Sequence, residues 1–274
     1  MEKEAYERGT SVYLVDRVVP MLPEKLSNEL CSLIEKEEKY TFSAVFQMNN
    51  KSEVLNEWYG KTVIKSDKRF SYEEVNHILQ KQTKTIEKEV SLKKENYMVS
   101  EDLYEAIIIF NNLAKELRKE RIKEGAISFE RKEVNFNLNN KNEPVSVFYK
   151  EYGDANKLIE EFMLLANKRV ASYITRQKKK PFVFRVHDNP DEEKLYSLQK
   201  TSSSFGYDFN LKSKNVNRAL NKLLDQCKGK KEQNLIETLA LRSMSKAEYT
   251  TKNIGHYGPV SYTHLRAHET REDR

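Results

Sequence analysis

Cysteine is almost missing from this 274-residue chain, which has only Cys31 and Cys227. Far apart and without CxxC or Cys/His spacing, they give neither a disulfide framework nor a zinc site, and read as two reduced thiols. Long apolar runs are missing as well. The longest, AIIIF at 106–110, is far shorter than a membrane span, and the N-terminal MEKEAYERG has no apolar signal core. The chain therefore reads as cytoplasmic, with no membrane partner, and nothing in it calls for an obligate protein partner. No glycine-rich phosphate loop, GxSxG elbow or HExxH occurs, so motifs alone do not reveal an enzyme.

What is present is charge and aromatic mass. With 33% charged and 38% hydrophobic residues the chain is strongly polar, yet 12 Phe and 15 Tyr argue against disorder. The net charge of +6 is mild. Two runs concentrate it, KELRKERIKEG (115–125) and NKRVASYITRQKKKP (167–181). Folded onto one face they would attract a phosphate backbone; singly, each is equally well a solvated helix end whose cations suit the dipole.

The periodicity predicts mixed elements. Residues 9–20 (GTSVYLVDRVVP) read as one strand closed by Pro20, and a short helix follows with Pro23 in its first turn. YTFSAVFQM (40–48) places Phe42, Ala44, Phe46 and Met48 on one covered side, and VLNEWYGKTVI (54–64) returns as its hairpin partner through Asn49-Asn50, asparagine tolerating positive φ. At SYEE (71–74) Ser71 and Glu74 form a capping box, with Phe70 and Val75 spaced as a hydrophobic staple. Residues 81–98 are charged and aperiodic. A long helix starts at Ser100 and ends at Gly125; a second hairpin turns at Asn139-Asn140. Residues 156–177 form the most apolar helix, expected at the centre of the core. A strand at 182–188, a helix at 191–200 capped from Asp188-Asn189-Pro190, and helices near 215–228 and 231–244 complete the reading. The fold class is α+β, with β-hairpins and sheet packed with helices around a central buried helix, on one core rather than two.

Three clusters could carry chemistry. HLRAH (264–268) has two histidines at i, i+4 but no glutamate between them and no apolar face, so it is not read as a zinc site. HDNPDEE (187–193) has the acidic first turn that a helix N-terminus favours, so capping is preferred to metal binding. In LIEEFMLLANKR, Glu160 and Asn167 share the narrow face left by Leu158, Ile159, Phe162, Met163 and Leu165. A carboxylate there is costly unless paired or wet, so Glu160 lines a cavity, joins a salt bridge or sits at a solvent edge.

Six blocks in order, RGTSVYLVDRVVPMLPEKLSNELCSL (8–33), YGKTVIKSDKRFSYEE (59–74), GAISFERKEVNFNL (125–138), KLIEEFMLLANKRVA (157–171), FVFRVHDNPDEEKL (182–195) and MSKAEYTTKNIGHYG (244–258), resemble the RNB catalytic domain of the ribonuclease II / ribonuclease R family, with wording nearest its bacterial ribonuclease R branch. The resemblance implies a 3′→5′ exoribonuclease that threads single-stranded RNA and releases nucleoside 5′-monophosphates, with Mg2+ assisting attack by water. It implies that Tyr13 positions the terminal nucleotide, that Phe129 stacks on the final bases, and that Glu160 lies near the 3′-terminal nucleotide, with Glu161 one residue away as the alternative. Arg185, in FRVHD, is taken as a phosphate contact. Two departures set limits. In the family a D-x5-DDA-type aspartate cluster that binds magnesium precedes the first block, and a segment ending in SPIRRY follows GHYG; neither is in this chain. Residues 1–258 are accordingly expected to be the central part of such a domain, without its cold-shock and S1 neighbours and inactive alone. Residues 259–274 (PVSYTHLRAHETREDR) read as a foreign scar. The alternative function is a catalytically empty module that binds single-stranded RNA.

Overall fold

The computed structural model describes residues 2–126, 133–150, 152–177, 181–211 and 216–252. In place of one core, the chain gathers into two compact units: Met1–Gln47 with Val54–Ile109 and Arg131–Lys157, and Met48–Glu53 with Phe110–Glu130 and Leu158–Arg274. Buried apolar residues form separate clusters, each drawn largely from neighbouring stretches of sequence.

In the first unit, helix α1 (Glu2–Arg8) precedes β1 (Val12–Tyr13) and β2 (Val18–Val19). These pair antiparallel with Val12 opposite Val19, and Leu14 N–H donates to the Arg17 carbonyl at 2.8 Å. The single strand predicted for residues 9–20 is thus a tight hairpin. Apolar alternation is the same for both, so period alone does not separate them. A short helix, Lys25–Leu30, follows Pro23, whose carbonyl accepts from Leu26 N–H and Ser27 N–H at 2.8 and 3.1 Å.

Strands β3 (Glu38–Met48) and β4 (Val54–Lys65) form the predicted hairpin. Its covered side is not the predicted one throughout: Phe46 and Met48 are half-buried, whereas Phe42 is 73% exposed. The reason is polar. Thr41 and Ser43, on the opposite face of the pleat, each lie 2.6 Å from the Thr62 hydroxyl, and this hydroxyl cluster is covered instead. Helix α2 (Tyr72–Lys81) starts with the complete capping box: Ser71 accepts from Glu74 N–H at 3.1 Å, and the Glu74 carboxylate accepts from Ser71 N–H at 2.8 Å. Strands β5 (Thr85–Ile86) and β6 (Tyr97–Met98) lie within the aperiodic 81–98 segment, and Ile86 joins Ile78 and Val99 in a buried cluster on which Phe70 packs. Strands β7 (Glu133–Leu138) and β8 (Pro144–Lys150) form the second hairpin.

The loops of the two hairpins share one chemistry, NNKSE (49–53) and NNKNE (139–143). In each, the first asparagine's side-chain oxygen accepts two backbone N–H groups, from Lys51 and Glu53 or from Lys141 and Glu143, while its amide donates to the glutamate. The positive φ is not on an Asn-Asn position as predicted; it falls on the fourth residue, Ser52 (64°) and Asn142 (61°). The first asparagine is needed as an acceptor, which leaves the left-handed corner to a later residue.

Helix α3 (Glu101–Lys123) and helix α4 (Asp154–Arg176) are the long helices predicted near 100–125 and 156–177. At the start of α4, Ala155 N–H donates to Asn76 Oδ1 at 2.9 Å. A Cβ at Gly153 would meet the same Asn76 side chain and force it to shift from that hydrogen bond.

In the second unit, α5 (Glu192–Ser204), α6 (Val216–Cys227) and α7 (Gln233–Ser243) enclose the largest cluster, with Leu198, Phe209, Leu220, Leu223 and Ile236 at most 1% exposed. Leu220, Leu223, Leu224 and Cys227 follow the i, i+3, i+4, i+7 spacing of one helix face. Cys227 is a buried free thiol, raised above its ordinary value by burial, and Cys31 is an exposed one. Strand β9 (Phe184–His187) pairs antiparallel with β10 (Ala247–Thr250). The cap of α5 falls later than predicted: Asp191, not Asp188 or Asn189, accepts from Lys194 N–H at 3.2 Å, while Asp188 accepts from its neighbour Asn189 N–H at 2.7 Å. The hydrogen bond from Lys194 N–H holds the Asp191 carboxyl below its ordinary value. A carboxyl depressed in the folded state stabilises above its unfolded pKa and stops doing so as pH falls through the folded one. Asp191→Ala is therefore expected to lower the melting temperature at neutral pH, and the gap to the unmodified chain to close below about pH 4; a gap unchanged by acid would show that the cap acts without its charge.

Candidate functional site

The Glu160–Glu161 pair on α4 meets the last turns of α3, which carry the KELRKERIKEG run. Spacing explains their different fates. Glu161 lies three residues after Leu158 and four before Leu165, on the covered stripe of α4, and is 3% exposed. Glu160, one residue and about 100° around the helix, has 46% of its side chain exposed. Asn167 does not share that environment, being 9% exposed two turns further on.

Arg121 answers both carboxylates. Its Nε donates to the two Glu161 oxygens at 3.2 and 3.1 Å, and its Nη2 donates to Glu161 Oε1 at 2.5 Å and to Glu160 Oε1 at 3.2 Å. Arg118 Nη1 stands 4.0 Å from Glu161 Oε1. Burial works against the Arg121 charge, yet the hydrogen bond to Glu161 and the charges of Glu161 and Glu160 prevail and raise its pKa. A charge pair out of water needs such saturated, forked geometry to offset its desolvation. Between the same two helices, the rings of Phe110 and Phe162 meet edge to face at 5.6 Å. Glu160 is thus a half-wet carboxylate whose direction is set by an arginine that is itself held by a buried glutamate.

The two basic runs do come together in this unit, Lys168 lying 3.8 Å from Glu124. Many of their cations are engaged by carboxylates: Arg118 and Arg121 as above, Lys119 by Glu116 and Lys123 by Glu120, each at 3.6 Å. The run 115–125 is therefore a mixed-charge surface rather than a free cationic strip.

Arg185 occupies β9 between buried Phe184 and Val186, so alternation turns it to the opposite face. There it pairs in register with Tyr249 of β10, which is 61% exposed. A guanidinium beside an open aromatic face suits a phosphate contact next to a stacked base. Sequence reasoning missed Tyr249; the signal was the strand AEYT, whose alternation sets Ala247 and Tyr249 on the face of His187 and Arg185. In the same ladder His187 Nδ1–H donates to the Ser245 carbonyl at 2.9 Å, which leaves Nε2 as the ring acceptor. Tyr13, on β1 in the other unit, is 46% exposed. Phe129 lies outside the described residues.

Among the described residues no group of three or more His, Cys, Asp or Glu is placed to hold a metal ion. Glu160 and Glu161 are close but bonded to Arg121, so these residues do not fit magnesium. Among the same residues no helix is long and apolar enough to cross a membrane.

Comparison with known proteins adds what geometry alone does not. The family model described as RNB domain matches residues 1–266. Ribonuclease R of Thermotoga maritima is 37% identical over 265 residues, which cover 96% of this chain and 36% of the relative. Ribonuclease R 1 of Lactococcus lactis is 33% identical over 268 residues, covering 97% of this chain and 31% of the relative. The chain thus spans about a third of the length of these curated relatives. Mycoplasma genitalium RNase R, solved in complex with ribose methylated single-stranded RNA, superposes with a TM-score of 0.82 at 27% identity, covering 96% of this chain and 39% of that one.

Proposed function

Because this chain belongs to the RNB-domain family, we propose that it serves 3′→5′ exoribonucleolysis of single-stranded RNA to nucleoside 5′-monophosphates, in the cytoplasm, and that its own part is to hold the RNA. The observation that carries this reading is the likeness, over 96% of the chain, to an RNase R solved with single-stranded RNA in place. In the proposal, Glu160 meets the terminal nucleotide, Phe129 stacks on the last bases, and Arg185 with Tyr249 receives a phosphate and a base, while Tyr13, in the first unit, offers its half-exposed ring to the RNA. The Arg121 fork gives Glu160 a fixed direction, so its carboxylate accepts from ribose hydroxyls without first being ordered. Stacking on aromatic faces tolerates any base, and cationic contacts track the backbone.

Magnesium-assisted hydrolysis belongs to the proposed function of the family domain, but the described residues do not fit the ion. A second reading for the chain by itself is a module that binds single-stranded RNA without cutting it, favoured by the engagement of the adjacent Glu160 and Glu161 carboxylates with Arg121. The test is to incubate the purified chain with a 3′-tailed RNA in magnesium. The expected result is salt-sensitive binding with the RNA left intact, weakened by Phe129→Ala at an unchanged salt slope, because stacking releases no counterions. Release of mononucleotides by the pure chain would overturn the division of labour, and binding indifferent to salt would overturn the RNA-holding role.

A further inference from the structure

Two carboxylates share one guanidinium between α3 and α4, and they share it unequally. Glu161, 3% exposed, takes three of the four hydrogen bonds that Arg121 gives the pair, at 3.2, 3.1 and 2.5 Å. Glu160 takes one, at 3.2 Å, and keeps 46% of its side chain in water. Arg118 also faces the buried carboxylate, its Nη1 standing 4.0 Å from Glu161 Oε1. Positive charge is thus committed to the inner partner, and the outer carboxylate stays a strong acceptor, aimed but only partly offset. Its two oxygens offer about four lone-pair sites, so one bond to Nη2 leaves capacity for further donors. On a chain that holds RNA, such a group has the wrong sign for phosphate. What it can receive is a hydroxyl or an amine. Base amines differ from base to base, and a site that needed one would read sequence; the 2′-hydroxyl is the same on every ribose, and at a 3′ end a second hydroxyl stands beside it.

We infer that Glu160 reads the sugar of the terminal nucleotide, favouring a ribose with free 2′- and 3′-hydroxyls over a 2′-deoxyribose or a 3′-phosphate, and that Arg121 is the positioning residue for that choice. The inference rests on the RNA-holding role proposed above and deepens it from the class of nucleic acid held to the form of its end. Arg121 acts through Glu160 alone. A glutamate free to swing would lose rotamer entropy on meeting a hydroxyl, and the fork removes that loss beforehand. A 3′-phosphate takes away one hydroxyl and sets a second anion against the carboxylate, so it is rejected on both counts.

The experiment is a titration of the full chain with fluorescent single-stranded RNAs identical except at the last nucleotide, which ends in ribose, 2′-deoxyribose or ribose 3′-phosphate. The deoxy end is expected to bind roughly tenfold more weakly than the ribose end, the low range for a hydrogen bond to a charged group because Glu160 is half in water. The 3′-phosphate end should bind no better than the deoxy end. Glu160→Ala should bind ribose and deoxy ends alike. R121M/E161L, in which two apolar side chains replace the buried pair at little cost in stability, should also bind them alike although Glu160 is intact. Its salt slope should stay that of the unmodified chain, because no phosphate contact is removed. Arg121→Lys, which keeps the charge without the fork, is expected to weaken the preference as well. A role of Arg121 in folding alone would leave the preference in place, so a preference retained by R121M/E161L or by Arg121→Lys overturns the positioning role. Equal binding of ribose and deoxy ends by the unmodified chain overturns the sugar reading and leaves the RNA-holding role standing, as does a preference that follows the last base instead of its sugar. Absence of RNA binding by the unmodified chain overturns both.

Discussion

Arg121→Met is expected to destabilise the fold by about 3–5 kcal/mol, the usual consequence of leaving a buried charge without its partner. Glu161 is 3% exposed and receives three hydrogen bonds from that guanidinium, while Arg118, at 4.0 Å, is too distant to replace them. The measurement is the urea midpoint at fixed m-value. The double variant R121M/E161L should recover most of the loss, because two packed apolar side chains need no desolvation. Glu160→Gln should change stability by well under about 1 kcal/mol, since its ion pair is half in water. A silent Arg121→Met would mean that the fork does not hold α3 and α4, and the fixed direction of Glu160 would fail with it.

Glu74→Ala is the second large effect, expected at about 3 kcal/mol. The carboxylate is 1% exposed and accepts from Ser71 N–H, Leu92 N–H and the Tyr97 hydroxyl at 2.8, 3.1 and 2.9 Å. Truncation strands three donors, each worth about 1 kcal/mol or more when buried. The cap of α2 and the anchoring of the 91–97 segment are lost together, so protease cutting near Leu92 should rise along with the fall in the urea midpoint. The pair also sets an alkaline limit. Burial, then the hydrogen bond to Glu74 and its negative charge, raise the Tyr97 phenol far above its ordinary value. A group whose folded pKa is raised stabilises fully below its unfolded pKa, about 10 for tyrosine, and ceases to as pH rises further. The chain should lose stability above about pH 10 more steeply than Tyr97→Phe does; parallel alkaline curves would remove Tyr97 from that account.

What was legible in the sequence was local. Ser71 and Glu74 stand three residues apart and their reciprocal bonds close within one turn, so the cap could be read complete. The two NNK loops were legible as turns, but the left-handed residue depends on which asparagine oxygen gathers the N–H groups. Asp191 lost out in the reading to the more conspicuous Asp188-Asn189-Pro190. The Arg121–Glu161 bond joins residues 40 apart and leaves no periodic trace; Arg121 looked like one more cation of a basic run. Of the candidate site residues, Tyr13, Glu160 and Arg185 came from ordered resemblance blocks or their neighbourhood, while the partners that orient Glu160 and adjoin Arg185 came from contact geometry alone.

Among the described residues, every sheet has two strands. No strand in such a sheet has a described strand on both sides, so each has one edge that no described strand pairs. An open edge is a template on which a further strand can add, from an extended peptide or from another copy of the chain. The two longer hairpins carry different defences. In β8, Pro144 has no N–H to offer, and the register shifts between Asn137 and Leu138 across from it, so that ladder is interrupted near its loop end. β3 and β4 have lysines instead, at 39, 61 and 65, but also Tyr40 at 93% and Phe42 at 73% exposure. Strand addition is therefore opposed by geometry on one hairpin and only by charge on the other, and raised salt weakens the second defence alone.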